Sequence, residues 1–360
     1  QKTQQIMRKK LLLLLLGLLA ATASWAQTSF TYTYQGKTLM YEVQPGTNNV
    51  SVAEQLQTMS SNQFAGAVEI PQTVYDGNNA AFTVTKLNNY AFSGCSTMTS
   101  VVIPNSVTTM GGYVFENCSA LASVTLPNAL ANIGLWSFRN CTSLVSLSIP
   151  NSVTIIGYRA FDGCSNLNML AIPNTVTAID GAAFRNCTSL TSISLPTGLS
   201  VIEANTFESC TSLVSLTIPS SVTTIGYNAF VYCSGLSPLI VPSTVDTIYK
   251  RAFLGVPIVV YAGTSGGSPW DATRLFAAQD GDLYFSDAAM TSLAYCNPAA
   301  TSVTIPSSVT TIEANAFAAC TDLTTLTVPS TVTTIGNNAF QGIDTVWYAG
   351  TASGSPWGAA

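Results

Sequence analysis

The sequence predicts a repeat solenoid, in which one short structural unit is copied along an axis. Seven cysteines recur every 23 residues from Cys95 to Cys233, and the pattern returns at Cys320. A phenylalanine precedes each of these cysteines by three residues, and a proline follows each by nine. A fixed period of this length is typical of stacked repeats, so the chain is interpreted as rows of one repeated coil.

The first half of each row is predicted to be a short strand. In the row that begins at Cys141, Leu147 and Ile149 alternate with serines, so that the apolar residues face inward and the serines outward. Pro150 ends the strand because proline has no N–H to donate to a neighbouring row.

The second half of each row is predicted to be a short helical turn or an irregular arc. Val153, Ile156 and Ala160 are three and four residues apart, which fits one or two tight helical turns and not a second strand. Phe161 then closes the coil as a buried side chain. A single row buries too little apolar surface to be stable alone, so rows stack and their strands form a parallel sheet along one side.

The row pattern LxxLxIPxSVTxIGxxAFxxC closely resembles the BspA-like leucine-rich-repeat family of surface proteins, over about residues 65–348. The resemblance implies a right-handed solenoid with a parallel sheet on one side. It also implies binding of host extracellular proteins or of neighbouring cells. Two rows depart from the pattern, because Leu254-Gly255-Val256 and Gln341-Gly342-Ile343 stand where the cysteine segment is expected.

The first 26 residues are typical of an export signal. Met7-Arg8-Lys9-Lys10 is basic, Leu11 to Ala20 is apolar, and Ser24-Trp25-Ala26 is a small-x-small cleavage site. Residues 1–6 are interpreted as sequence upstream of the true start at Met7. The mature protein is therefore expected outside the cytoplasm, at the cell surface or in the extracellular medium.

Pattern changes divide the mature chain into segments. Alternating residues on both sides of Gln35-Gly36-Lys37 predict a β-hairpin that caps the first row. Within the second half, Tyr261-Ala262-Gly263-Thr264 is repeated 87 residues later at Tyr348-Ala349-Gly350-Thr351. The predicted segments are an N-terminal cap at 27–64, repeats at 65–256, an irregular junction at 257–295, further repeats at 296–345 and a C-terminal tail at 346–360.

Charge and composition narrow the class of partner. After removal of residues 1–26 the chain has eight basic and 17 acidic residues, a net charge of −9. This balance disfavours nucleic acids and anionic membranes as partners. The apolar run of the export signal is too short for a transmembrane helix, and none is predicted in the mature chain, which is expected to be monomeric.

The sequence gives no support for an enzyme or for a cofactor. It contains no histidine, which removes the commonest general base and the usual metal ligand. Glu203 and Glu313 occupy one repeat position in distant rows, so a solvated pair is favoured over a catalytic couple. Asp280-Gly281-Asp282 is interpreted as an ordinary turn, with a calcium site as the alternative.

The regularly spaced cysteines are predicted to be unpaired thiols. Stacked rows bring them close together, but their Cβ vectors run parallel, which does not suit the dihedral of a disulfide. A buried free cysteine acts as a small apolar side chain. The alternative is one or more real disulfides, which an exported protein would permit.

Two surfaces are candidates for binding. The sheet face carries files of Ser and Thr, which form either a solvated face or a broad, shallow protein-binding face. On the opposite side, Tyr113, Trp136 and Arg159 stand two residues before the phenylalanine in successive rows, with Tyr158 beside Arg159. These four residues form either a ligand-binding file of aromatic and cation–π contacts or surface packing without a ligand.

The leading functional hypothesis is an exported adhesion or recognition protein that binds host or neighbouring-cell proteins without catalysis. One alternative is a glycan-binding accessory protein that uses Tyr113, Trp136 and Tyr158. Another is a passive stalk that holds a further domain away from the cell.

Overall fold

The computed structural model describes residues 29–55, 64–263, 271–272 and 274–350, and the elements it assigns there are all strands. The chain divides into two compact units, residues 1–167 and 168–360. The predicted export signal and the last ten residues lie outside the described residues.

The strands of unit 1 form a cap and the first rows. They are β1 (Ser29–Tyr34), β2 (Lys37–Val43), β3 (Asn49–Val52), β4 (Gly66–Glu69), β5 (Thr73–Tyr75), β6 (Ala81–Leu87), β7 (Met98–Val102), β8 (Thr109–Met110), β9 (Ser123–Thr125), β10 (Asn132–Ile133) and β11 (Ile155–Ile156).

The strands of unit 2 begin with rows of the same kind and continue through the predicted junction. They are β12 (Met169–Ala171), β13 (Ala178–Ile179), β14 (Ser192–Ser194), β15 (Val201–Ile202), β16 (Ser215–Leu216), β17 (Thr224–Ile225), β18 (Leu239–Val241), β19 (Thr247–Ile248), β20 (Val259–Tyr261), β21 (Leu275–Phe276), β22 (Ala278–Asp280), β23 (Leu283–Phe285), β24 (Ser292–Cys296), β25 (Thr311–Ile312), β26 (Thr325–Val328), β27 (Thr334–Ile335) and β28 (Thr345–Tyr348).

Parallel ladders between rows confirm the solenoid of stacked coils. In unit 1, β7 pairs with β4 and β9, and in unit 2, β14 pairs with β12 and β16, all in parallel. Equivalent residues of neighbouring rows meet directly, as Val101 meets Val124. The 23-residue period therefore sets the register of the sheet.

The second half of the row differs from its prediction, because it contains a second strand and no helical turn. β11 pairs with β10 in parallel, and β17 pairs with β15 and β19 in the same way. These strands are two residues long and rich in Ile and Thr, whose branched side chains favour extended backbone. Residue 157 follows β11, and the six residues after it, at 158–163, form turns.

Left-handed backbone explains why no helix forms in this arc. Arg159 has φ 53° and Gly163 has φ 77°, and the same two positions are left-handed in row after row. A left-handed residue cannot continue a right-handed helix. In the arc, N–H groups at alternate positions instead donate to the next row: Trp136 to Tyr158 at 2.9 Å, and Phe138 to Ala160 at 2.8 Å.

The phenylalanines form the centre of the core. In unit 1, Phe92, Phe115 and Phe138 are fully buried, and their rings stack at centroid distances of 5.6 and 5.4 Å. In unit 2, Phe207 lies between Phe184 and Phe230 at 5.7 and 5.4 Å. Phe115 in unit 1 and Phe207 in unit 2 thus each contact two other rings, one in each neighbouring row.

The nine cysteines are buried and form no disulfide, as the parallel geometry predicts. The thiol of Cys141 donates to the carbonyl of Phe115 in the preceding row at 3.1 Å, and Cys118, Cys164, Cys210 and Cys233 make the same contact. Burial raises the pKa of Cys95 to about 11 and that of Cys210 to about 12. These thiols therefore stay protonated in the folded protein at neutral pH.

The N-terminal segment caps the first row with three antiparallel strands. β1 and β2 form the predicted hairpin, whose turn residues Gln35 and Gly36 both have positive φ. β3, which the sequence pattern did not reveal, pairs with β2 and then with β6 in parallel. β6 also pairs with β8 and so begins a parallel ladder, and β3 covers the outer edge of this ladder.

In unit 2, the described residues of the predicted junction include several strands. β20 continues the first ladder beside β18, and β22, β23 and β24 form an antiparallel meander. β24 then pairs with β25 in parallel, which starts the next rows. The repeated motif has the same contact in both copies, since Tyr261 donates to Val245 and Tyr348 donates to Val332 through their hydroxyls.

Candidate ligand-binding surface

The residues proposed for binding lie in unit 1, at one position of the arc. Tyr113, Trp136 and Arg159 occupy the first left-handed residue of successive rows, with φ of 60°, 58° and 53°. Tyr90, in the row before, has the same conformation at φ 60°. Left-handed backbone is uncommon outside glycine and asparagine, and it turns these four side chains the same way. These four residues, three aromatic side chains and one arginine, are called the aromatic file.

The rings of the aromatic file stack in chain order. Tyr90 and Tyr113 lie 4.5 Å apart between centroids with an interplanar angle of 16°, and Tyr113 and Trp136 lie 5.5 Å apart at 22°. Tyr158 is tilted by 58° against Trp136 at 6.1 Å. Offset stacking of this kind contributes about 0.5–1.5 kcal/mol per pair beyond burial.

Two guanidinium groups lie over Trp136. The Cζ of Arg139 is 4.4 Å from the ring centroid and that of Arg159 is 4.9 Å away. Arg159 also lies 5.2 Å from the ring of Tyr158. Such contacts are worth about 0.5–1 kcal/mol at exposed sites, so Trp136 is the most strongly held ring of the file.

Two carboxylates position these guanidinium groups. Arg139 pairs with Glu116 at 2.9 Å and reaches Asp162 at 3.9 Å, while Arg159 reaches Asp162 at 3.8 Å. Asp162 is only 2% exposed. Because two cations face two anions, the cluster is neutral, and its arginines are oriented without adding net charge to the surface.

The sequence analysis named four residues of this cluster and did not name Tyr90, Arg139, Glu116 or Asp162. The structure brings Tyr113, Trp136, Tyr158 and Arg159 together, as their spacing predicts. Tyr90 was missed although it also stands two residues before a phenylalanine. Arg139 follows its phenylalanine and stands at another repeat position, so only the folded arc shows that it covers Trp136.

Desolvation raises the pKa of Tyr90, and the neighbouring Tyr113 raises it further. Its hydroxyl, like that of any tyrosine with a pKa of 10.0 or above, is protonated at neutral pH and can donate a hydrogen bond. Tyr90 is 40% exposed and Tyr158 is 42% exposed, more than the other three residues, Tyr113, Trp136 and Arg159.

The sheet face carries the predicted hydroxyls but also apolar side chains. Ser100 and Ser123 lie opposite each other on β7 and β9, and Ser192 and Ser215 do so on β14 and β16. Met169 on β12 is 63% exposed at the equivalent position. The face holds no cluster comparable to the one around Trp136 in the described residues.

The described residues hold no group of three or more histidine, cysteine or acidic side chains placed to bind a metal ion. The carboxylate of Asp282 accepts a hydrogen bond from Asn297 at 2.9 Å, and Asp280 ends β22, where it pairs with Leu283 of β23. None of the described residues belongs to a helix with the length and apolar character needed to cross a membrane.

The stacked rows, the two parallel ladders and the phenylalanine column define a leucine-rich-repeat solenoid. The family model described as "BspA type Leucine rich repeat region" matches residues 58–187, 137–259 and 289–348, in six copies. These matches cover more than half of the chain. The protein belongs to the BspA-type leucine-rich-repeat family.

Solved structures agree with this assignment. The chain is 30% identical to a leucine-rich-repeat protein of T. pallidum, with a TM-score of 0.50, over 57% of this chain and 90% of that one. It is 22% identical to a leucine-rich-repeat protein of Bacteroides ovatus, with a TM-score of 0.51, over 90% and 91% of the two chains. The second likeness concerns the fold alone. No curated protein matches the chain.

Proposed function

We propose that this protein is an exported recognition protein that binds another protein through the aromatic file of unit 1. The observation that carries the proposal is the stack of Tyr90, Tyr113 and Trp136, together with the two oriented guanidinium groups that lie over the ring of Trp136. Tyrosine, tryptophan and arginine are the residues that most often dominate protein interfaces.

The rigidity of the cluster supports binding. The main-chain N–H of each ring residue donates to the next row, and ion pairs hold both arginines. A partner would therefore meet side chains that are already ordered, which lowers the entropic cost of association. Membership of a repeat family supports an extended interaction surface, and the basic, apolar and small-residue pattern of residues 7–26 supports export.

Adhesion to host or neighbouring-cell proteins is the specific role we propose. Residues 27–360 would be immobilised and tested against soluble extracellular-matrix proteins by biolayer interferometry. For a partner found in this way, the triple variant Tyr113→Ala/Trp136→Ala/Arg159→Ala is expected to lose at least about 2 kcal/mol of binding free energy.

The matched control is Tyr232→Ala, which removes a left-handed tyrosine that is 53% exposed in unit 2. Its affinity should equal that of the parent. Circular dichroism melts separate binding from folding. Equal loss of affinity and stability in the triple variant would identify the file as structural packing, and binding to no protein in the panel would favour a passive stalk.

A further inference from the structure

A polar groove lies where the cap of unit 1 meets the first rows. Its volume is about 980 Å³. Glu42 and Glu54 line it from the cap, and Asn88, Asn89 and Tyr90 line it from the row that follows β6. Its size is at the upper end of the range of about 300–1,000 Å³ found for small-ligand sites.

The lining of the groove is rich in groups that accept or donate hydrogen bonds. Carboxylates, amides and hydroxyls predominate, and Lys86 is the one cation among the described lining residues. The amide of Asn88 donates to Glu42 at 2.6 Å, and that of Gln44 donates to Thr85 at 3.0 Å. These contacts fix several polar side chains before any ligand arrives.

Tyr90 supplies an aromatic surface at the edge of this groove. One face of its ring stacks on Tyr113 at 4.5 Å, and its main-chain N–H donates to Gly112 at 3.0 Å. The ring lines the groove while remaining 40% exposed. It is therefore an ordered ring that a flat ligand can cover.

We propose that this groove binds a neutral oligosaccharide. Each hydroxyl of a sugar both donates and accepts hydrogen bonds. The carboxylates of the groove can accept from such hydroxyls, and its amides can both accept and donate. The apolar face of a sugar ring suits the ring of Tyr90. Two carboxylates against one lysine disfavour phosphorylated, sulfated or sialylated ligands. The site is separate from the proposed protein-binding function and shares only Tyr90 with it.

The test uses residues 27–360 and isothermal titration with cellotetraose, maltotetraose, xylotetraose and mannotetraose, with sialyllactose as the charged comparison. At least one neutral tetrasaccharide is expected to bind. The double variant Glu42→Gln/Glu54→Gln, which keeps the shape of both side chains, should weaken that binding by about tenfold or more. Glu203→Gln, at an exposed carboxylate of unit 2 outside the groove lining, should leave it unchanged.

Trp136→Ala separates the two proposals, because sugar binding should survive this change while protein binding falls. If the double variant melts early, the ring protons of Tyr90 in the parent protein provide a second measurement, since a bound sugar must shift their NMR signals. No binding by any neutral tetrasaccharide, equal binding of sialyllactose, loss of sugar binding in Trp136→Ala, or unchanged binding in a folded double variant would each overturn the proposal.

Discussion

The two units fill the same left-handed position of the arc with different side chains. Unit 1 uses Tyr90, Tyr113, Trp136 and Arg159, whereas most rows of unit 2 use asparagine, at Asn205, Asn228, Asn315 and Asn338. Asparagine adopts this backbone more easily than an aromatic residue does. Asn228 simply donates to Asn205 in the preceding row at 3.0 Å. The scaffold therefore needs only a left-handed residue here, and the aromatic rings of unit 1 are more than the fold requires.

The largest effect is expected from removing a ring of the phenylalanine core, which both units share. Phe138→Ala in unit 1 and Phe207→Ala in unit 2 each remove a fully buried ring stacked between two others, so each should lower the free energy of unfolding by about 3–5 kcal/mol. Urea unfolding followed by circular dichroism measures both. Clearly unequal losses, or a loss below about 1 kcal/mol, would contradict an equivalent core in the two units.

The next expected effect is a pH dependence that both units share. Burial raises the pKa of Cys95 to about 11 and of Cys210 to about 12, from an ordinary value of 9.0. Above pH 9 the unfolded chain loses these thiol protons while the folded chain retains them, so stability falls as pH rises. Below pH 9 the contribution is complete.

Each such thiol accounts for about 1.4 kcal/mol of lost stability per pH unit between its unfolded and folded pKa values. Cys95→Ala and Cys210→Ala should therefore each make the decline between pH 9 and 10.5 shallower by that amount, measured by urea unfolding at several pH values. A slope equal to that of the parent would show that the substituted thiol is exposed or already ionised.

The smallest effect is expected when the side chains that differ between the two units are exchanged. Trp136→Asn loses stacking worth about 0.5–1.5 kcal/mol and two cation–π contacts worth about 0.5–1 kcal/mol each, but it relieves a left-handed aromatic residue by about 1–2 kcal/mol, so the free energy of unfolding should fall by less than about 2 kcal/mol. The reverse change, Asn228→Trp, should destabilise unit 2 by about 1–2 kcal/mol. Thermal and urea unfolding test both. A large loss in Trp136→Asn would make the aromatic file part of the scaffold.

The period of the sequence predicts most of the fold, because one row determines its neighbours. Cys, Phe and Pro at fixed spacing predict the coil, the buried ring and the end of the strand. The second strand of each row was missed, since two residues such as Ile155 and Ile156 are too few for an alternating pattern. The apolar spacing of three and four also fits an arc whose turns are set by left-handed residues.

The candidate site was predictable where it follows the period and not elsewhere. Tyr113, Trp136 and Arg159 share a repeat position, so their contact follows from stacking. The groove beside Tyr90 combines Glu42 from the cap with Asn88 from the first rows, and nothing in the sequence pairs them. Its residues meet only because β3 joins the ladder at β6.

The hydrogen bonds of the arc have an electrical consequence. In unit 1 the N–H groups of Tyr90, Tyr113 and Trp136 all donate to the following row, and in unit 2 Asn205 and Phe207 donate in the same sense. Within each unit the aligned peptide dipoles add, as they do along an α-helix, although here they run across successive rows. The later end of each column is its positive pole, and every additional row lengthens the dipole without changing the residues that came before.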